Sequence, residues 1–85
     1  MKRVKATSNS NYRYADPRDC ECFISYREIW QKAPRATARK VTNESVNWIA
    51  IDESDGDFYI FQIAGYSHDR GLFNYQLDRN GRIIA

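Results

Sequence analysis

Residues 46–66, VNWIAIDESDGDFYIFQIAGY, hold most of the large side chains from which this chain can build an interior, and their division between two faces decides the fold. Val46 to Ile51 and Phe58 to Ile63 are rich in β-branched and aromatic residues, the composition that suits a pleated, half-buried surface. Ser54, Asp55 and Gly56 lie between them, so the stretch reads as a β-hairpin. A three-residue loop closed by a left-handed Gly56 sets Ile51 opposite Tyr59 and Ile49 opposite Phe61. Ile49, Ile51, Tyr59, Phe61 and Ile63 then share the inner face, and Trp48, Ala50, Phe58, Ile60 and Ala64 the outer one. A two-residue turn at Asp55-Gly56 slips the pairing by one and puts Ile49 and Ile51 on the face opposite Tyr59, Phe61 and Ile63. The three-residue loop gives the cleaner core and is preferred. With both faces apolar, the sheet is expected to be covered twice, by its own chain or by a partner.

Downstream, Leu72 to Leu77 alternates Phe73, Tyr75 and Leu77 with polar residues. Asp78-Arg79-Asn80-Gly81 carries turn chemistry, and Arg82 to Ala85 returns as a short last strand. The result is an antiparallel meander. Upstream, Asp16-Pro17 reads as a helix start, with Phe23, Tyr26, Trp30 and Ala33 at helical spacing until Pro34. Cys20, Cys22, Ile24 and Tyr26 also alternate as a strand would, which is the rival reading. Residues 35–44 are basic and small, with only Val41 to bury, and read as an exposed connection with room for a helical turn. Asn43 could instead cap a second helix carrying Val46, Ile49 and Ala50, but the β-branched residues and Trp48 favour a strand. Residues 1–15 read as a loose arm with a short edge strand at Val4–Ala6 or Tyr12–Tyr14. The expectation is a single α+β domain over residues 1–85: one N-terminal helix near residues 17–33, packed on an antiparallel β-meander of three to five strands.

Composition limits the function. Hydrophobic residues at 42% and aromatics at 14% argue for a compact interior, while 28% charged residues and a mean hydropathy of −0.73 argue for solubility. No apolar run approaches the roughly 20 residues of a membrane span, and no signal-peptide core follows the basic start, so no membrane role is expected. Cys20 and Cys22 stand too close for an ordinary disulfide, which points to a reducing cytoplasm. The formal charge of +2 is unevenly spread. Up to Lys40 there are ten basic residues against four acids, and beyond it three arginines against seven acids.

Reactive chemistry has little support. Cys20-Glu21-Cys22 with His68-Asp69 lacks the spacing and ligand number of a zinc site, and Asp52 to Asp57 misses the calcium-loop pattern, so no metal or other cofactor is expected. His68 is the only histidine. Metal-free RNA cleavage by His68 or a tyrosine with an arginine has no signature here, and no enzymatic activity is expected. The favoured function is a small non-catalytic binding module, a regulator or inhibitor acting on another protein. Trp48, Phe58 and Ile60 would be its anchors, and Arg35, Arg39 and Lys40 would steer an acidic partner. Pairing with a second copy is a further outcome of an apolar sheet face. The runner-up is a nucleic-acid binder using the basic first half, winged-helix-like if Asn43 opens a helix.

Overall fold

Residues 3–9, 12–13, 23–43 and 45–85 are described in a computed structural model. In chain order they form β1 (Arg3–Asn9), β2 (Tyr12–Arg13), β3 (Phe23–Ser25), α1 (Tyr26–Lys32), α2 (Arg35–Asn43), β4 (Val46–Asp52), β5 (Tyr59–Ser67) and β6 (Gly71–Gln76). The strands make one sheet in the order β3-β1-β2-β4-β5-β6, in which β1 also pairs directly with β4. The fold is α+β, and β4, β5 and β6 are the antiparallel meander read from the sequence. The first strand extends it differently. It lies parallel to β4, with Lys5 opposite Trp48 and Thr7 opposite Ala50. Where the two diverge, β2 fills the wedge, pairing with Ser8 and Asn9 on one side and Ile51 and Asp52 on the other.

The preferred pairing of Ile51 with Tyr59 and Ile49 with Phe61 does not form: the tip takes the two-residue turn at Asp55-Gly56 and its slipped register, and a bulge then shifts the pairing again. Asp57 donates its N–H to the Ser54 carbonyl, and positive φ at both Asp55 (57°) and Gly56 (77°) makes a mirror-image turn at the tip. Ile51 faces Ile60 and Asp52 faces Tyr59. One residue later a bulge intervenes, and Ala50 faces Gln62 while Ile49 faces Ile63. Phe61 is the extra residue. The bulge switches which side chains point inward, so Ile60 and Ile63 both reach the core although they are three positions apart, a spacing that regular alternation puts on opposite faces. Ile60, expected on the outer face, is 1% exposed and belongs to the interior.

The helical region differs from the expected single helix at both ends. Residues 23–25 are a strand, and the helix begins only at Tyr26, where the Ser25 hydroxyl accepts the Glu28 N–H at 3.2 Å. The Asp16-Pro17 start and the cysteine pair lie outside the described residues. Pro34 ends the pattern as expected, yet Arg35–Asn43 is a second helix rather than an exposed connection. Its buried stripe is only Thr37, Ala38 and Val41, too narrow and small to stand out as a periodic apolar signal. Small residues suffice because the chain approaches closely: a Cβ on Gly81 would lie 2.6 Å from the Thr37 hydroxyl. Beyond β6, Arg82–Ala85 makes a bridge, Leu77 with Ile83, rather than a full strand.

One cluster joins the two layers. Ile29 of α1 and Ala38 and Val41 of α2 pack with Ile49, Ile51, Ile60, Ile63 and Leu77, and with Val4 and Ile24 from the paired strands β1 and β3. Both helices therefore cover the same side of the sheet. Gly65 completes the fit, since a Cβ there would meet the Ser45 carbonyl oxygen at 2.0 Å. No helix among the described residues is long and apolar enough to cross a membrane.

Candidate functional site

The face of the sheet turned away from the helices is the first candidate surface. Cross-strand pairing puts Trp48, Ala64 and Asn74 in one row and Tyr66 with Leu72 in the next. Leu72 is 85% exposed and Tyr66 51%, while Trp48 is half-buried. Within β4, β5 and β6 neither row carries a charge, and Lys5 of β1 stands opposite Trp48 at the end of the first. The Gln62 amide donates to Asn74 Oδ1 at 2.6 Å and fixes the polar border of the strip.

The same surface ends in a sheet edge. The Gln76 N–H donates to the Ala85 main-chain oxygen and the Ile84 N–H to the Gln76 carbonyl, so the C-terminal residues cover the outer side of β6 at Gln76. Residues two apart in a strand point their main-chain groups the same way. Those of Asn74 and Leu72 consequently face outward, and no described residue pairs with them. Ile83 and Ile84 stay exposed beside this edge.

The helix layer presents the second surface. Arg35 and Arg39 are exposed on α2, and Lys40 is half-exposed. Thr42 lies three residues after Arg39 and seven after Arg35, hence on the same helical face. Trp30 of α1 is 43% exposed, and its indole N–H donates to the Thr42 hydroxyl at 2.9 Å, while that hydroxyl donates to the Ala38 carbonyl at 2.7 Å. Arg27, one turn before Trp30, is exposed as well. The one acid of the layer, Glu28, is occupied by Lys32 at 3.2 Å.

Between the layers, Lys32, Pro34, Asp57, Phe58, Tyr59 and Arg79 line a cleft of about 200 Å³. Its charged groups are already engaged. Arg79 is hydrogen-bonded to Asp57 and lies over the Tyr59 ring at 4.6 Å, and the Lys32 ammonium stands 5.5 Å from the Phe58 ring centre. The Arg79 hydrogen bond holds the Asp57 carboxyl below the usual carboxylate range and pushes Arg79 up. Hydrogen bonds from Ser54 do the same to Asp52, whose Oδ1 accepts the Ser54 hydroxyl at 2.6 Å. The cleft is a clasp that ties the C-terminal turn to the hairpin.

These positions separate the residues singled out in the sequence. Trp48 stands on the outer face of the sheet, Phe58 packs at the helix corner, and Arg35, Arg39 and Lys40 lie on α2. Ile60 is withdrawn as an anchor because the bulge turns it inward, where a partner cannot reach it. Tyr66, Leu72 and Trp30 were missed. Tyr66 and Leu72 sat at the ends of apolar runs, and Trp30 fitted the helical apolar stripe. No family model, curated protein or solved structure matches the chain.

Proposed function

We propose that the chain is a non-catalytic binding module of the cytoplasm that docks another protein on the outer face of its sheet, as a regulator or inhibitor would. The observation that carries this reading is the exposed Tyr66–Leu72 pair beside the open edge of β6. Fully burying such side chains is worth roughly 1.5–3 kcal/mol each, and most of that free energy at Leu72 and about half at Tyr66 is left uncollected among the described residues. Trp48 and Tyr66 belong to the residue types that dominate interfaces, and the outward main-chain groups of Leu72 and Asn74 suit an added extended segment.

Affinity capture with the wild-type chain and with Tyr66→Ala/Leu72→Glu tests the proposal. The double variant should keep its circular dichroism spectrum, because both side chains project into water, and should lose the partner the wild type retains. Identical captured proteins from both chains would refute it. Sizing of the purified protein identifies one special case: a dimer abolished by the same two changes means that the partner is a second copy.

A further inference from the structure

We propose that the outward face of the helix layer binds single-stranded nucleic acid, with one base stacked on Trp30 and the phosphates met by Arg27, Arg35 and Arg39. This surface is separate from the sheet face and does not depend on it. Three observations converge on the assignment.

The first is a large aromatic side chain that keeps much of its ring in water although it also braces α1 against α2. Trp30 is 43% exposed on a helix whose core contact is made by Ile29. The second is that its orientation is held: the hydrogen bond to Thr42, which itself donates to Ala38, ties the edge of the indole to α2 and leaves ring surface in water. A fixed flat ring costs little ordering when a base stacks on it. The third is charge. Arg35 and Arg39 share the helical face of Thr42, Arg27 shares that of Trp30, and none of them has an acidic partner among the described residues. Glu28, the one acid within α1 and α2, is paired with Lys32.

An acidic protein could satisfy the arginines but has no base for the ring, and a duplex keeps its bases stacked on one another. Single strands offer both groups together. Planar guanidinium groups also suit phosphate oxygens better than the ammonium of lysine does.

The test uses the full chain carrying Trp48→Phe, so that Trp30 is the sole tryptophan emitter. Titration with oligothymidylate should quench its fluorescence. Three phosphate contacts predict a loss of affinity of about 20-fold between roughly 50 and 200 mM salt. Read by the fluorescence anisotropy of a labelled oligothymidylate, which needs no tryptophan, Trp30→Ala should weaken binding by about tenfold or more, whereas Arg35→Glu/Arg39→Glu should abolish it. Circular dichroism confirms that each variant is folded, and Trp30→Phe, which keeps a ring without the indole hydrogen bond, should retain part of the affinity. Absence of quenching overturns the proposal. So does equal affinity for inorganic polyphosphate or an acidic polypeptide with no effect of Trp30→Ala, since the face would then recognise negative charge alone.

Discussion

Asp57 shows how much can rest on a single exposed carboxylate. It accepts a hydrogen bond from Arg79 and another from the Phe58 N–H, and both favour its ionised form. Its acidity in the folded chain is therefore stronger than in the unfolded one. The resulting stabilisation is complete above the unfolded value, about pH 4, and is lost as pH falls through the lower folded value. Asp52 follows the same course, held down by Ser54. The melting temperature of the wild type should thus decline on acidification below about pH 4. Asp57→Asn should start lower at neutral pH and decline less steeply, because a neutral amide has no proton to gain. Parallel melting curves for the two chains from neutral pH to strong acid would contradict the role given to the Asp57–Arg79 pair.

At the level of elements, the bulge in β5 is the decisive departure from regular alternation. It makes Ile60 a core residue and leaves Phe58 at the margin. Ile60→Ala should cost about 2–5 kcal/mol in urea unfolding, the usual range for emptying a packed aliphatic site. Phe58→Ala, which removes a half-buried ring lying beneath Lys32, should cost less. The reverse order would restore the unbulged register. The same element explains what the sequence disclosed and what it hid. Strands β4 to β6 are legible in residues 46–77 because alternation and turn residues are local signals. A bulge is not, since it is chosen by how two strands settle against a third layer. The start of α1 is legible in Ser25-Tyr26-Arg27-Glu28, which has the spacing of a capping box, but Asp16-Pro17 is the more conspicuous start signal in the sequence. Helix α2 stayed hidden because Thr37, Ala38 and Val41 pack through closeness rather than bulk. Of the functional candidates, Trp48 was placed on the correct face by its neighbours, while Trp30 could not be told from a core residue until the helix had a direction.

At the scale of the molecule, the described helices and the sheet strip differ in chemistry. The helix layer is basic, the hairpin tip is acidic, and the uncharged strip of Trp48, Tyr66 and Leu72 lies on the far face of the sheet. Such separation lets two partners of different chemistry be held without competition, and it orients an approaching anion toward the helices. The meander is built from near neighbours in sequence, whereas β1 reaches β4 only after two further strands and two helices. Contacts that close long loops form late. Stopped-flow kinetics should therefore show Val4→Ala mainly accelerating unfolding and Ile63→Ala mainly slowing refolding. Equal partitioning of the two effects would place β1 in the folding nucleus.

The parallel β1–β4 pairing carries one more consequence. Ribosomes make the first strand long before its berth beside Val46–Asp52 exists, so assembly runs against the direction of synthesis. Before that strand docks, the flank of β4 that it covers is open, and a neighbouring chain's β1 presents the same residues to it at a lower effective concentration. Crowded polysomes are thus the setting in which exchanged, interlocked pairs of this protein would form.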